Sequence, residues 1–170
     1  EIVYMGSFIG YKNVETLIRG MRYLPDHTLV LLSRISDSRR AQLEKLASKV
    51  SANIRFKNGV TDEEYHEWLY RAKALVSASL DEGFGIPVVE AMTRGCPVVL
   101  SDIQIFEEVA GPAGLRFAPY NEIAFSEQVK RLSDKNTWKL QSALGLDQAQ
   151  FFTWEDSAEL LVELAEELAA

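Results

Sequence analysis

The segment at residues 74–94 constrains the fold of this chain more than any other part of the sequence. It joins a short apolar run, residues 74–79, to a turn with two glycines and then to a predicted helix. Pro87 marks the start of that helix, because proline is favoured in the first helical turn. A strand that leads through a short turn directly into a helix is the repeating unit of parallel α/β sheets. We therefore expect an α/β fold.

The same alternation of strand and helix signals runs along the whole chain. Apolar residues recur at i, i+3, i+4 and i+7 after Asn13, which we expect to cap a helix, and Thr61 with Glu64 forms the capping-box pattern of another. The pattern predicts one domain, residues 1–170, with a doubly wound parallel sheet of about six strands and extra C-terminal helices. The predicted strands are residues 2–6, 28–33, 53–57, 74–79, 98–101 and 114–117.

Composition limits the partners of such a domain. A formal net charge of −7 argues against nucleic acid, because phosphate backbones select basic surfaces. The single cysteine, Cys96, excludes an internal disulfide, and neither a Cys/His cluster nor an acidic pair with metal spacing indicates a metal site. No apolar run reaches the ~18 residues of a membrane span. No signal-peptide pattern opens the chain, so we expect a cytoplasmic location.

Two acids enclose the glycine turn, Glu82 before it and Glu90 eight positions later. Both are expected at the carboxyl edge of the sheet, where doubly wound folds bind ligands. Glycine turns and helix N-termini offer amides to phosphate, while carboxylates accept hydrogen bonds from hydroxyls. Each acid also has a structural interpretation: Glu82 as a solvated loop residue, and Glu90 as a residue stabilised by the helix dipole. The two glycines favour a nucleotide-sugar site.

The ordered motifs carry a more specific resemblance. Residues 82–92 read Glu-Gly-Phe-Gly-Ile-Pro-Val-Val-Glu-Ala-Met, and Gly-Cys-Pro-Val-Val follows at 95–99. This run resembles the E-x7-E signature of retaining GT-B glycosyltransferases, in the large group called group 1 or family four. The resemblance implies the C-terminal, Rossmann-like, donor-binding half of such an enzyme, and it leads us to expect that the N-terminal acceptor-binding half is absent from this chain. Supporting motifs lie at residues 3–6, 56–60, 107–109 and 152–155.

The resemblance also implies a role for individual residues. Glu82 contacts hydroxyls of the transferred sugar, Lys12 neutralises the diphosphate as it leaves, and Glu90 binds the ribose. Glu82 and Lys12 are therefore the catalytic candidates. The other implied donor-binding residues are Gly83, Phe84, Gly85, Ile86, Pro87 and Val88 in the turn and helix start, Val60 and Arg34 near the base, and Ser7 at the diphosphate.

Two positions depart from the family pattern. Ser7 stands directly after the first glycine, where the family usually has arginine, and Asn13 follows Lys12 where the family usually has glycine. One of the two expected diphosphate cations is therefore missing from its usual place. Either Ser7, by a hydrogen bond, or Arg34, by its charge, can compensate, and the sequence leaves this choice open.

The implied function is transfer of a hexosyl group, with mannosyl favoured, from a GDP- or UDP-hexose to an acceptor hydroxyl, without a metal cofactor. The isolated domain is expected to bind nucleotide and to transfer little or nothing. A role in polysaccharide biosynthesis is expected, with membrane contact only through the absent half, at the inner face of the cell membrane. Two alternatives stay open, a GT-B domain of the epimerase or phosphorylase type and a nucleotide-binding module without enzyme activity.

Overall fold

A parallel six-stranded sheet forms the centre of the molecule. The structure is a computed structural model that describes residues 1–169, and the side chains of residues 1–153 and 158–168. The strands are β1 (Ile2–Tyr4), β2 (Leu29–Leu31), β3 (Ile54–Phe56), β4 (Leu75–Ser77), β5 (Val98–Ser101) and β6 (Gly114–Phe117). They lie in the order β3-β2-β1-β4-β5-β6 and pair in parallel. Because the chain winds outwards from β1 in one direction and from β4 in the other, the predicted doubly wound α/β fold is confirmed.

Eight α-helices connect or follow the strands in the described part of the chain. The predicted capping box is confirmed, since the Thr61 hydroxyl accepts from the Glu64 amide and the Glu64 carboxylate accepts from the Thr61 amide. The helices are α1 (Val14–Gly20), α2 (Asp37–Val50), α3 (Asp62–Arg71), α4 (Ile86–Met92), α5 (Gln104–Ala110), α6 (Glu122–Arg131), α7 (Lys135–Ala149) and α8 (Trp154–Ala169).

Both faces of the sheet are buried, as expected for a parallel sheet covered by crossover helices. Side chains alternate across β1, so Ile2 and Tyr4 join the core beneath α1, α2 and α6, whereas Val3 joins the core beneath α3, α4 and α5. Cys96 is buried in this second core, and burial raises the pKa of its thiol to about 12. Its burial fits a structural thiol, as expected for a small apolar residue beside the buried strand at 98–101.

Strands that lead into the carboxyl edge are shorter than predicted. The predicted strand at 74–79 ends at Ser77. The carbonyls of the next two residues accept hydrogen bonds from side chains instead of from a neighbouring strand. The Asn13 amide group donates to the Ala78 carbonyl at 3.1 Å, and the Ser101 hydroxyl donates to the Ser79 carbonyl. The carboxyl edge is thus held by side-chain hydrogen bonds.

Asn13 shows why a departure from the family pattern is tolerated. It occupies the predicted N-cap position of α1 with φ 49° and ψ 39°, in the left-handed region that favours glycine and tolerates asparagine. The predicted side-chain cap is wrong, because Asn13 Oδ1 accepts from the Thr16 hydroxyl and not from a helix amide. The residue instead ties the loop after β1 to the loop after β4.

The final helix presents apolar side chains to solvent. Leu160, Leu161, Leu164 and Leu168 are each more than half exposed. The expectation that Trp154 packs back on the domain lies outside the described side chains. Among the described residues, no helix combines the length and the apolar character that a membrane crossing needs.

Candidate functional site

The candidate site lies where the winding of the sheet reverses. β1 and β4 are neighbours, and the chain proceeds to β2 and β3 on one side but to β5 and β6 on the other. Ligands of doubly wound folds bind in the crevice that this reversal opens at the carboxyl ends of the strands. The two loops that border it are joined directly, since the Leu80 amide donates to the Tyr11 carbonyl at 2.8 Å.

The two catalytic candidates meet in this crevice. Lys12 Nζ lies 2.7 Å from Glu82 Oε1 and 2.8 Å from Oε2, although the residues are 70 positions apart. The side chains are only 15% and 14% exposed, so both charges are largely removed from water. The Ser79 hydroxyl donates a further hydrogen bond to Glu82 Oε1 at 2.7 Å. Such hydrogen bonds offset the desolvation of the two charges.

Tyr4 holds the loop after β1, which borders the same crevice. Its hydroxyl donates to the Ser7 carbonyl and thereby fixes the loop after β1. Burial, reinforced by the charge of Glu82, raises the pKa of Tyr4 well above its usual value, so the hydroxyl stays protonated as a donor. The Ser7 side chain itself is exposed at this edge. The hydroxyl of Ser7 is therefore accessible to a ligand, and its contact with the diphosphate stays a prediction.

Arg34 and Val60 lie in neighbouring loops, after β2 and after β3. A Cβ atom on Gly59 would come within 2.9 Å of Arg34 Cγ, so the arginine stem lies against the loop after β3. Val60, in that loop, packs partly buried against the core beneath α3 and α4. Among the described residues, no hydrogen bond or ion pair joins Arg34 to Lys12 or Glu82. The role of the two residues near the base stays a prediction.

The glycine turn presents backbone at the mouth of the crevice. Gly85 has φ +91° in the left-handed region, whereas a Cβ on Gly83 would meet nothing within 4 Å. The exposed Phe84 ring packs edge-on against Phe152, with ring centroids 5.5 Å apart. Within the described part of the chain, the six consecutive amides of residues 81–86 donate no hydrogen bond to protein. Those of Gly83, Phe84, Gly85 and Ile86 belong to the turn and the start of α4.

The predicted contribution of the helix start needs correction. The Val88 amide already donates to the Gly85 carbonyl at 2.8 Å, and Pro87 has no amide hydrogen. Of the three residues predicted to offer amides there, only Ile86 has one free of a partner among the described residues. The donors that face a ligand therefore lie mainly in the turn.

Glu90 occupies the second turn of α4 and is half-buried. Its carbonyl accepts from Arg94 Nη1 at 3.1 Å. Its carboxylate lies close enough to α3 to contribute to the raised pKa of Tyr65, after the larger effect of burial. Glu90 thus lies beside α3.

The loop at 101–104, after β5, is expected from the sequence at the carboxyl edge, but none of the predicted site residues lies in it or in α5. An open depression of about 410 Å³ lies beside Glu82, and Lys12 does not line it. β5 neighbours β4 in the sheet, so its carboxyl-end loop was the available signal. The residues lining the depression are Leu80, Asp81, Glu82, Ile103, Gln104, Ile105 and Glu108.

Known proteins resemble this chain in sequence. The family model described as Glycosyl transferases group 1 matches residues 1–151. The O-antigen chain mannosyltransferase B of Escherichia coli is 32% identical over 161 residues, which cover 91% of this chain and 42% of that protein. The O-antigen chain mannosyltransferase RfbU of Salmonella typhimurium is 28% identical over 130 residues, covering 75% and 37%.

A solved structure extends the likeness to the fold. The sucrose-phosphate synthase from Thermosynechococcus elongatus superimposes with a TM-score of 0.88 at 27% identity, covering 98% of this chain and 45% of the synthase. This chain therefore spans less than half the length of each of these relatives.

Proposed function

Because the chain belongs to the glycosyl transferases group 1 family, we propose that it is the donor-binding domain of a retaining hexosyltransferase. The enzyme moves a hexosyl group from a nucleotide-diphospho-sugar to an acceptor hydroxyl. The observation that carries this proposal is the Lys12–Glu82 pair in the crevice between β1 and β4. Mannose is the favoured sugar, since the two O-antigen relatives are named mannosyltransferases.

The diphosphate occupies the crevice beside Lys12. The lysine ammonium has three donors, and a phosphate competes with Glu82 for them. The unpartnered amides of the glycine turn add further donors for the same oxygens. A cation and fixed amides stabilise the negative charge that develops on the diphosphate as it leaves the sugar. Ser7 adds a hydroxyl, whereas Arg34 serves the nucleotide further along the edge.

The sugar occupies the depression on the other side of the glycine turn. Glu82 accepts hydrogen bonds from its hydroxyls, and Asp81, Gln104 and Glu108 supply further polar groups. The volume of about 410 Å³ falls within the ~300–1,000 Å³ typical of small-molecule pockets. Because Lys12 contacts Glu82 without lining the depression, the glutamate stands between diphosphate and sugar.

Glu90 binds the ribose, and the base lies towards Val60 and the Arg34 stem. The acceptor oxygen forms a bond to the sugar carbon on the face from which the diphosphate oxygen departs, and the acceptor proton passes to that oxygen. We place the acceptor-binding half elsewhere in a longer protein, because this chain spans 42% of the E. coli mannosyltransferase. The exposed leucines of α8 suit contact with that half.

Several finer points of the proposal stay predictions. They are catalysis without a metal ion, weak or absent transfer by the domain alone, a cytoplasmic location with peripheral attachment of the full enzyme at the membrane, and a role in polysaccharide assembly. GDP-hexose and UDP-hexose are both retained as donors.

Calorimetric titration of the chain with GDP, UDP, ADP and flavin mononucleotide tests the proposal. We expect binding of GDP or UDP and no binding of the flavin. We expect Lys12→Ala and Glu90→Ala each to weaken binding at least tenfold, since hydrogen bonds to charged groups contribute about 1.5–3 kcal/mol. A chain that binds neither diphosphate overturns the proposal, and unchanged affinity in both variants overturns the site assignment.

A further inference from the structure

Two buried polar atoms flank Glu90 without a hydrogen-bond partner. They are the Tyr65 hydroxyl oxygen and Arg94 Nε, both found among the described side chains. Buried side-chain polar atoms without a partner are uncommon in folded proteins and call for an explanation. Tyr65 is only 4% exposed, so bulk water does not satisfy its hydroxyl.

The ring of Tyr65 has an ordinary structural role. It lies on α3 and packs in the same core as Val88, Ala91 and Met92 of α4. A phenylalanine ring fills the same space without burying a hydroxyl. Packing alone therefore does not account for the hydroxyl, which calls for a polar partner.

Glu90 is the polar group that the Tyr65 hydroxyl faces. Burial first, and then the charge of the Glu90 carboxylate and a hydrogen-bonding interaction with it, raise the pKa of Tyr65. That contact does not reach full hydrogen-bond geometry in the free chain, so the two groups are close but not yet bonded. Arg94 holds the main chain at the same place, because its Nη1 donates to the Glu90 carbonyl at 3.1 Å. A donor beneath the carboxylate and an anchored backbone limit the directions in which Glu90 can point.

We propose that Tyr65 is a positioning residue for Glu90: on nucleotide binding its hydroxyl donates to one carboxylate oxygen and directs the carboxylate towards the two ribose hydroxyls of the donor. A carboxylate offers about four acceptor positions, so one bond from Tyr65 leaves enough for both ribose hydroxyls. Fixing the acceptor in advance lowers the entropy lost on binding. This inference rests on the proposed function, in which Glu90 binds ribose.

Tyr65→Phe separates this role from packing, because it removes only the hydroxyl. The measured quantity is the ratio of calorimetric affinities for GDP and 2′,3′-dideoxy-GDP, and for UDP and 2′,3′-dideoxy-UDP. We expect the unmodified chain to prefer the ribonucleotide by about tenfold or more, from charged hydrogen bonds to the ribose. We expect Tyr65→Phe to reduce that preference about threefold without lowering the melting temperature.

Two further variants complete the test. Tyr70→Phe is the matched control, since Tyr70 lies on the same helix but is 71% exposed, and it leaves the ratio unchanged. Glu90→Gln abolishes most of the preference, and adding Tyr65→Phe to it changes the ratio no further. If Glu90→Gln removes the preference but Tyr65→Phe leaves it intact, or weakens ribo- and dideoxynucleotide equally, the inference is wrong and the proposed function stands. If neither GDP nor UDP binds the unmodified chain, the proposed function itself fails.

Discussion

The two acids that enclose the glycine turn have opposite surroundings. Glu82 is paired in the free protein, since Lys12 and Ser79 both donate to it at 2.7 to 2.8 Å. Near Glu90, by contrast, the Tyr65 hydroxyl and Arg94 Nε are buried without partners. The difference teaches that Glu82 is held by partners within the free fold, whereas polar atoms beside Glu90 have none there, and the proposed ribose contact would engage one of them.

Breaking the pair at Glu82 has the largest expected effect. Lys12→Met keeps the stem length but leaves the carboxylate unpaired and mostly buried. Loss of one partner of a buried pair costs about 3–5 kcal/mol. Residual exposure screens this pair, so we expect urea unfolding to show a loss of about 2 kcal/mol in the free energy of unfolding. Calorimetry should also show at least tenfold weaker binding of the nucleoside diphosphate.

An exposed ion pair in the same chain provides the matched control. Arg40 Nε lies 2.8 Å from Glu44 Oε1, but both side chains are nearly half exposed. Arg40→Met should change the free energy of unfolding by about 0.5 kcal/mol or less. Equal losses in Lys12→Met and Arg40→Met contradict a special stabilising role for Lys12.

The next largest expected loss of stability comes from the glycine turn between the two acids. Gly85→Ala places a Cβ at φ +91° and about 3.0 Å from a ring carbon of Phe106, so strain is expected from both causes. We expect a loss of about 1–2 kcal/mol in the free energy of unfolding. Gly83→Ala is the control, because its Cβ meets nothing within 4 Å. A loss in Gly83→Ala as large as in Gly85→Ala contradicts this account of the turn.

Glu90 should affect binding and leave stability alone. Glu90→Gln removes the charge but keeps the side-chain shape, and no described ion pair depends on it. We expect about tenfold weaker binding of GDP or UDP, unchanged binding of inorganic pyrophosphate, and a free energy of unfolding within about 0.5 kcal/mol of the parent chain. Destabilisation matching that of Lys12→Met would remove the contrast between the two acids.

Local signals explain why the fold was predictable. Short apolar runs, a capping box at Thr61 and Pro87 after a glycine turn each depend on near neighbours in the sequence. Their α/β alternation predicts a parallel sheet, although not the order of its strands. Contacts across long separations were not predictable. The direct Lys12–Glu82 pair spans 70 positions and depends on how two loops pack. Apolar periodicity placed Tyr65 in the core but carried no information on whether its hydroxyl has a partner.

The Val88 amide at the start of α4 was also mispredicted because its partner depends on the folded turn. Helix N-termini leave amides free on average, but the Gly85 carbonyl turns towards the Val88 amide and uses it. The left-handed conformation of Asn13 is likewise a property of the folded loop, which explains a departure from the family that sequence alone left unexplained.

Ser7→Arg should have the smallest effect and sharpens the comparison at the diphosphate. It restores the cation that the family usually has after the first glycine, at an exposed position whose carbonyl is held by Tyr4. An exposed charge near a phosphate contributes roughly 0.2–1 kcal/mol, so we expect about threefold tighter binding of GDP or UDP at low salt. The gain should shrink as salt rises, because exposed charges are screened.

An equal gain from Ser36→Arg, at the exposed N-cap of α2, indicates a general effect of added positive charge on this acidic chain. A gain confined to Ser7→Arg, additive with the loss in Glu90→Gln, places the diphosphate beside Lys12 and independent of the ribose contact.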